Sequence, residues 1–397
     1  MTLRFPGSPQ PDSPLPEPGD DELAHCRAVS ARLCDEMSEG SIDFARFMEL
    51  ALYAPGLGYY ASGPRKFGPE GDFVTAPELT PVFGGCVART AGAVLEALGG
   101  GDVLEVGAGS GALAADVLTA LAARGAAPGR YLILEPSPEL RARQGERLAQ
   151  VAAPLRERVA WIDALPAAGF RGCVLANEVL DAMPVQRFRL SGGSVRLLRV
   201  ARGEERFVWT LETAPPALAD VVAGRTRTLD GAVGYTSEIN LRAEAWIATV
   251  AGRLGAGAVL VFDYGFPRRE LYHPQRGEGT LACHYRHRVH DDPLIYVGLQ
   301  DITAHVDFTA IADAAAGAGL EVAGYANQAG YLLDAGLAQV MDAQPAADDR
   351  ARLETAQAVK KLTLPSEMGE LFKVMALTRG VDSPLPGFRG RSLLGGL

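Results

Sequence analysis

LEVGAGSGAL, residues 104–113, is a short apolar strand carrying an acid, followed by glycines at Gly107, Gly109 and Gly111. A strand–glycine loop–helix unit brings backbone close to a nucleotide-like ligand and aims a helix N-terminus at an anionic group. Glycine is required where a Cβ would block the ligand or forbid the turn. With Ala112, the glycines also satisfy the dinucleotide fingerprint G-x-G-x-x-[GA]. A tight turn with no ligand is the plain alternative.

Outward from this unit the chain alternates. Apolar runs at 131–135, 159–162, 173–176 and 258–262, with further ones near 320–325 and 372–377, are separated by helical patterns. Ser137 and Pro138 stand as N-cap and first residue of the helix after the second run. Short continuous apolar strands between helices predict a parallel sheet covered on both faces, a doubly wound α/β domain. Residues 1–20 are Pro-rich and acidic and read as a disordered tail. Residues 21–98 read as a helical and loop region covering the site, with Ser41 capping a helix whose Phe44, Phe47, Met48 and Ala51 share a side. The sheet domain is expected over 99–380, with inserts at about 185–240 and 267–307 and a C-terminal tail at 381–397. The first insert should be antiparallel, turning at 191–194.

The composition bounds the function. The formal charge of −10 over 397 residues disfavours a nucleic-acid partner, which needs a basic face. Five scattered cysteines form no C-x-x-C pair, so neither a disulfide framework nor a structural zinc site is expected. No apolar run approaches the roughly 20 residues that span a bilayer, so no membrane insertion is expected. The N-terminus lacks a secretory core or Arg-rich leader. Cytoplasmic residence is the default expectation. Nothing in the chain indicates an oligomeric state.

Three places carry candidate chemistry. Glu105, two residues before the first glycine, suits the ammonium group of S-adenosylmethionine, which a nicotinamide cofactor lacks. Glu135, ending the second strand, is placed to accept from ribose hydroxyls and serves either cofactor. Asp163, after the third strand, is either an adenine contact or a solvated, capping aspartate. The segment ANEVLDAMP (176–184) follows the fourth strand, where ligands of open α/β sheets bind. Asn177 is expected at the cofactor, with Glu178 and Asp181 as catalytic carboxylates. Carboxylates orient a guanidinium through bidentate hydrogen bonds. Acids favoured by a helix N-terminus are the alternative. The segment CHYRHRVHDD holds His284, His287 and His290 at intervals of three. On a helix they diverge by about 60° per step, and interleaved arginines oppose a cation, so no metal is expected.

These motifs resemble a class I S-adenosylmethionine-dependent methyltransferase. More narrowly, LYAPGLGYY (52–60), GDFVTAPELT (71–80), ANEVLDAMPVQRF (176–188), VFDYG (261–265), DITAHVDF (301–308) and SEMGELFKVM (366–375) resemble the MidA family. Its mitochondrial members are complex I assembly arginine methyltransferases. The resemblance implies a seven-stranded Rossmann-like sheet with a family-specific N-terminal region and inserts. It implies S-adenosylmethionine held by Glu105, Gly107, Gly109, Gly111 and Glu135, and the GDFVTAPE loop, with Thr75 and Glu78, closing over substrate. It also implies a protein acceptor, arginine in a respiratory complex I subunit. The competing expectations are a non-catalytic assembly factor of the same fold and, more distantly, a nicotinamide oxidoreductase.

Overall fold

The computed structural model describes residues 15–61, 74–344, 348–390 and 392–397. The disordered tail expected over 1–20 lies outside them apart from 15–20, and a helix starts at Asp20. The chain divides into two compact units.

The larger unit comprises Val74–Leu180, Glu244–Gly265 and Phe308–Leu397. Its sheet is built from β1 (Asp102–Val106), β2 (Tyr131–Leu134), β3 (Val159–Ile162), β4 (Phe170–Asn177), β5 (Leu254–Phe266), β6 (Glu321–Asn327) and β7 (Phe372–Arg379). The path runs β3-β2-β1-β4-β5-β7-β6. All neighbours are parallel except β7, antiparallel to both β5 and β6. This is the doubly wound α/β sheet that the apolar runs predict, with the seven strands that the resemblance implies and one of them antiparallel. Strand order reverses between β1 and β4, and the carboxyl ends of strands at such a switch point are where open α/β sheets bind ligands.

Helices α1 (Pro81–Ala97), α2 (Ala112–Ala123) and α3 (Pro138–Leu148) belong to this unit. A Cβ at Gly84 would fall 2.4 Å from Asp116 Cβ, so glycine in α1 is what lets α2 approach. Phe83, Phe262 and Tyr331 form an edge-to-face chain with centroids 5.5 and 5.3 Å apart. Each such pair adds about 0.5–1.5 kcal/mol beyond its buried area, holding β5 against α1. Ser137 caps α3 by accepting from the Leu140 amide, with Pro138 next, as its sequence position predicts. The stretch read as a C-terminal tail packs instead. Val381 and Leu385 bury in this core, and the Leu393 amide donates to the Tyr325 carbonyl of β6.

The smaller unit contains described residues 15–61 with Asp181–Ala243 and Phe266–Asp307. Its larger sheet includes antiparallel strands Gln186–Ser191, Val195–Arg202 and Phe207–Thr213, the first turn closed by Ser191 N–H to the Ser194 carbonyl. Ile42–Asp43 joins the Val195–Arg202 strand, which moves the helix cap. Asp43, not Ser41, caps Phe44–Tyr53 by accepting from the Arg46 amide at 2.8 Å. Ser41 accepts from Arg199 instead. The insert expected at about 267–307 carries a second antiparallel sheet of Ala282–Tyr285, Arg288–His290 and Asp301–Thr303.

Candidate functional site

β1 delivers the chain into the glycine loop, where Gly107, Gly109 and Gly111 take φ of +65°, +53° and +83°. Each is left-handed, a region that costs an L-residue with a Cβ about 1–2 kcal/mol. Among the described residues, a Cβ built on Gly107 would have only Val179 Cγ2 nearby, at 3.7 Å. The dihedral rather than packing demands glycine there. Gly111 leads directly into α2, whose first amides lack intrahelical partners.

Glu135 leaves the end of β2 and is 4% exposed. One oxygen accepts from the Ser137 amide at 3.0 Å and the other from Gln144 Nε2 at 3.2 Å. A carboxylate has about four lone-pair sites, so capacity remains for hydroxyl donors. The neighbouring Gln144 is fully buried, and its Nε2 also donates to the Gly109 carbonyl at 3.0 Å.

Glu105 lies within β1, 3% exposed, and accepts from the Tyr131 hydroxyl at 2.5 Å. Burial pushes its carboxyl up to about 7, opposed by Tyr131 and reinforced by the negative charges of Asp116 and Glu135. Burial also lifts Asp116 to about 7, and raises Glu135. Burial thus makes each of these three carboxyls costly to ionise, with Arg147 and Arg141 opposing the shift at Asp116 and Glu135.

After β4 the backbone takes an unusual turn. Glu178 has φ of +53°, a conformation that non-glycine residues rarely adopt. Its amide donates to the Phe262 carbonyl at 2.8 Å, and Asn177 Nδ2 lies 3.3 Å from Glu178 Oε1. The fully buried Asp263 fixes the turn, accepting from the Leu180 amide at 2.9 Å and the Tyr264 amide at 3.0 Å.

Asp181 begins the next segment of the smaller unit and is 3% exposed. Its carbonyl accepts from the Ala304 amide, and the Ala182 carbonyl from the Tyr53 hydroxyl, at 3.0 and 2.9 Å. The Tyr60 hydroxyl donates to Asp301 at 2.8 Å. Burial, then Asp301, Tyr53 and Asp181 in turn, push the Tyr60 phenol well above its ordinary value. Parts of three motif segments remote in sequence, at residues 53–60, 181–182 and 301–304, therefore meet within the smaller unit.

The family model of S-adenosyl-L-methionine-dependent methyltransferases matches residues 86–326. The chain belongs to this methyltransferase family. A Drosophila melanogaster relative, the mitochondrial protein arginine methyltransferase NDUFAF7 homolog, is 28% identical over 94% of this chain and 91% of its own. The corresponding mouse protein is 28% identical over 86% and 81%. A crystal structure of a superfamily member from Burkholderia thailandensis, bound to S-adenosyl-homocysteine, is 46% identical and superposes with a TM-score of 0.92. It covers 97% of this chain and 100% of that one. S-adenosylmethionine is thus this methyltransferase's cofactor. The left-handed glycine loop and the buried Glu135 with acceptor capacity to spare fit this cofactor.

Other sequence-derived candidates sit differently in the methyltransferase. Thr75 precedes the short helix Ala76–Leu79 without capping it through its side chain. Glu78, expected over substrate, is tied to the glycine loop, accepting from the Ser110 hydroxyl with Arg147 3.9 Å away. Residues 71–73 of that motif lie outside the described residues. Asp163 is an 89% exposed partner of Arg141 at 2.6 Å, the solvated alternative of its two readings. Arg141 in turn donates to the carbonyls of Glu135 and Ile162, tying the ends of β2 and β3.

The histidines are on a hairpin, not a helix. Cys283 pairs with His290 and His284 with Val289, and the turn residues Arg286 and His287 both have positive φ. Among the described residues no group of three or more His, Cys, Asp or Glu could hold a metal, and no helix is long and apolar enough to cross a membrane. Sequence reasoning missed Gln144 and Tyr131, and took Tyr60, Asp263 and Asp301 only as parts of resembling segments. An acid directly after the apolar run 258–262 was a usable signal for Asp263. Nothing local marks Gln144.

Proposed function

We propose that this methyltransferase modifies arginine in a protein acceptor, with Glu178 and Asp181 orienting the guanidinium. The left-handed backbone at Glu178 is the observation that carries this reading. Non-glycine residues held in sparse backbone regions cost on the order of 1–3 kcal/mol and cluster at active sites. Here the strain falls on a carboxylate at the switch-point end of β4. The names of the insect and mouse relatives support arginine as the acceptor.

On this reading Gly107, Gly109 and Gly111 cradle the methionine part of S-adenosylmethionine, Glu105 faces its ammonium and Glu135 takes the ribose hydroxyls. Asn177 lies beside the cofactor. When bound, the cofactor supplies a methyl group on a sulfonium that departs as a neutral thioether. Glu178 accepts guanidinium N–H bonds and turns one nitrogen towards the methyl group. Such alignment is most of what in-line transfer requires. Asp181, three residues further along the chain, supplies a second carboxylate to offset the guanidinium charge. The carboxylates also accept the proton that the methylated nitrogen releases. Asp163 is left out of the cofactor set because of its exposure. Thr75 remains assigned to the acceptor side, and Glu78 moves to the glycine loop. The acceptor class to test first is a respiratory complex I subunit, with action in the cytoplasm.

The test is transfer of labelled methyl groups from S-adenosylmethionine into a lysate of host cells lacking the gene. Acid hydrolysis should release labelled methylarginine with the wild-type protein and none with Glu178→Gln. Label in another amino acid would refute the arginine reading.

A further inference from the structure

Gln144 does no chemistry in the account above, yet its amide makes three hydrogen bonds beside the glycine loop. It is fully buried in α3. Its Oε1 accepts from Trp161 Nε1 at 2.8 Å, and its Nε2 donates to the Gly109 carbonyl at 3.0 Å and to Glu135 Oε2 at 3.2 Å. The indole N–H is donor-only, so it dictates which end of the amide is oxygen. The NH2 must then face the loop and the carboxylate. A Cβ on Gly111 would come within 3.2 Å of Gln144 Cα, so α3 also backs the loop sterically.

We propose that Gln144 is a positioning residue for the cofactor, setting the glycine loop and the Glu135 carboxylate in one fixed relation. The loop holds one part of the ligand and Glu135 another, and a bridging amide makes them a single pre-formed cradle. One Glu135 oxygen is held by the Ser137 amide and the other by Gln144, leaving the remaining lone pairs aimed at a diol. Trp161 in β3 holds the amide from behind. Preorganisation of this kind raises affinity by removing ordering costs at binding. This inference rests on the placement of Glu135 at the ribose, so the experiment tests both residues together.

The experiment is calorimetric titration of the full chain with S-adenosylhomocysteine, for wild type, Gln144→Met, Glu135→Gln and the double variant. Losing a hydrogen bond to a charged group weakens affinity about tenfold to a hundredfold. Gln144→Met and Glu135→Gln should each show a loss in that range. The double variant should bind within about threefold of Glu135→Gln, because Gln144 acts through Glu135. Trp161→Phe, which releases the amide oxygen but leaves both NH2 acceptors present, should weaken binding by less than Gln144→Met does.

Gln144→Glu serves as the second variant if Met destabilises the core. It keeps the Trp161 contact but sets a carboxylate against Glu135, and should bind more weakly than wild type by at least tenfold. Multiplying losses in the double variant would overturn the proposal, as would wild-type affinity in Gln144→Met. Wild-type affinity in Glu135→Gln would overturn the ribose placement and the proposal with it. A lone loss in Glu135→Gln would overturn the role of Gln144 only.

Discussion

Glu105→Gln should make the cofactor-free protein more stable at pH 8 while weakening its hold on S-adenosylmethionine. The Glu105 carboxyl is pushed from 4.5 to about 7, chiefly by burial. As pH rises through 4.5 the unfolded chain gives up this proton first, so the unfolded state is favoured progressively until pH passes 7. Each pKa unit is 1.36 kcal/mol, so ionised Glu105 costs about 3 kcal/mol of stability at pH 8 and under about 1 at pH 5. Glutamine keeps an oxygen for the Tyr131 hydroxyl and avoids the charge. Its new NH2, if unpaired, takes back about 1–3 kcal/mol.

A urea titration without cofactor should therefore find Glu105→Gln gaining on wild type by about 2–3 kcal/mol between pH 5 and pH 8. Calorimetry at pH 8 should find S-adenosylmethionine binding at least about tenfold weaker, because a charge-assisted contact to the ammonium is gone. A variant that gains nothing on wild type over that pH range would refute the burial argument. Unchanged affinity would refute the ammonium role.

Gly107→Val should abolish S-adenosylhomocysteine binding, since a β-branched residue at φ of +65° distorts the loop and its side chain enters the bare space beside it. Glu178→Gly should relieve the +53° backbone and gain about 1 kcal/mol in a urea titration. The same variant should lose nearly all methyl transfer in the labelled assay while keeping cofactor affinity within about threefold. Asp263→Ala removes the acceptor that fixes the Leu180 amide. It should cost about 2–3 kcal/mol in stability and lower kcat for transfer more than it changes the KM for S-adenosylmethionine.

The parts of the fold that came from local pattern were readable without coordinates. Apolar runs at the seven strand positions and the Ser137–Pro138 helix start are one-dimensional signals, and each maps onto the element observed. The Ser41 cap went to Asp43 because Ile42–Asp43 is drawn into a sheet with residues far along the chain. That is tertiary competition that no local window contains. The histidine spacing was weighed only as three positions on a helix, whereas the segment is a hairpin whose turn uses Arg286 and His287 where asparagine and glycine would be expected. At the site, glycines and acids were visible because their residue types are unusual at those positions. The positive φ of Glu178 and the bridging of Gln144 are properties of three-dimensional packing, and neither residue type announces them. Asp163 illustrates the converse. Its position after β3 suggested a ligand, and Arg141, from the α3 helix, took it instead.

The measurement that bears most directly on the account is a mass-spectrometric comparison of arginine methylation in host cells. Three strains are compared: one lacking the gene, one restored with wild type, and one restored with Glu178→Gln at equal protein level. The account predicts one or a few methylarginine sites that appear only with wild type. Identical arginine methylation in all three strains, or a site restored in full by Glu178→Gln, would contradict it.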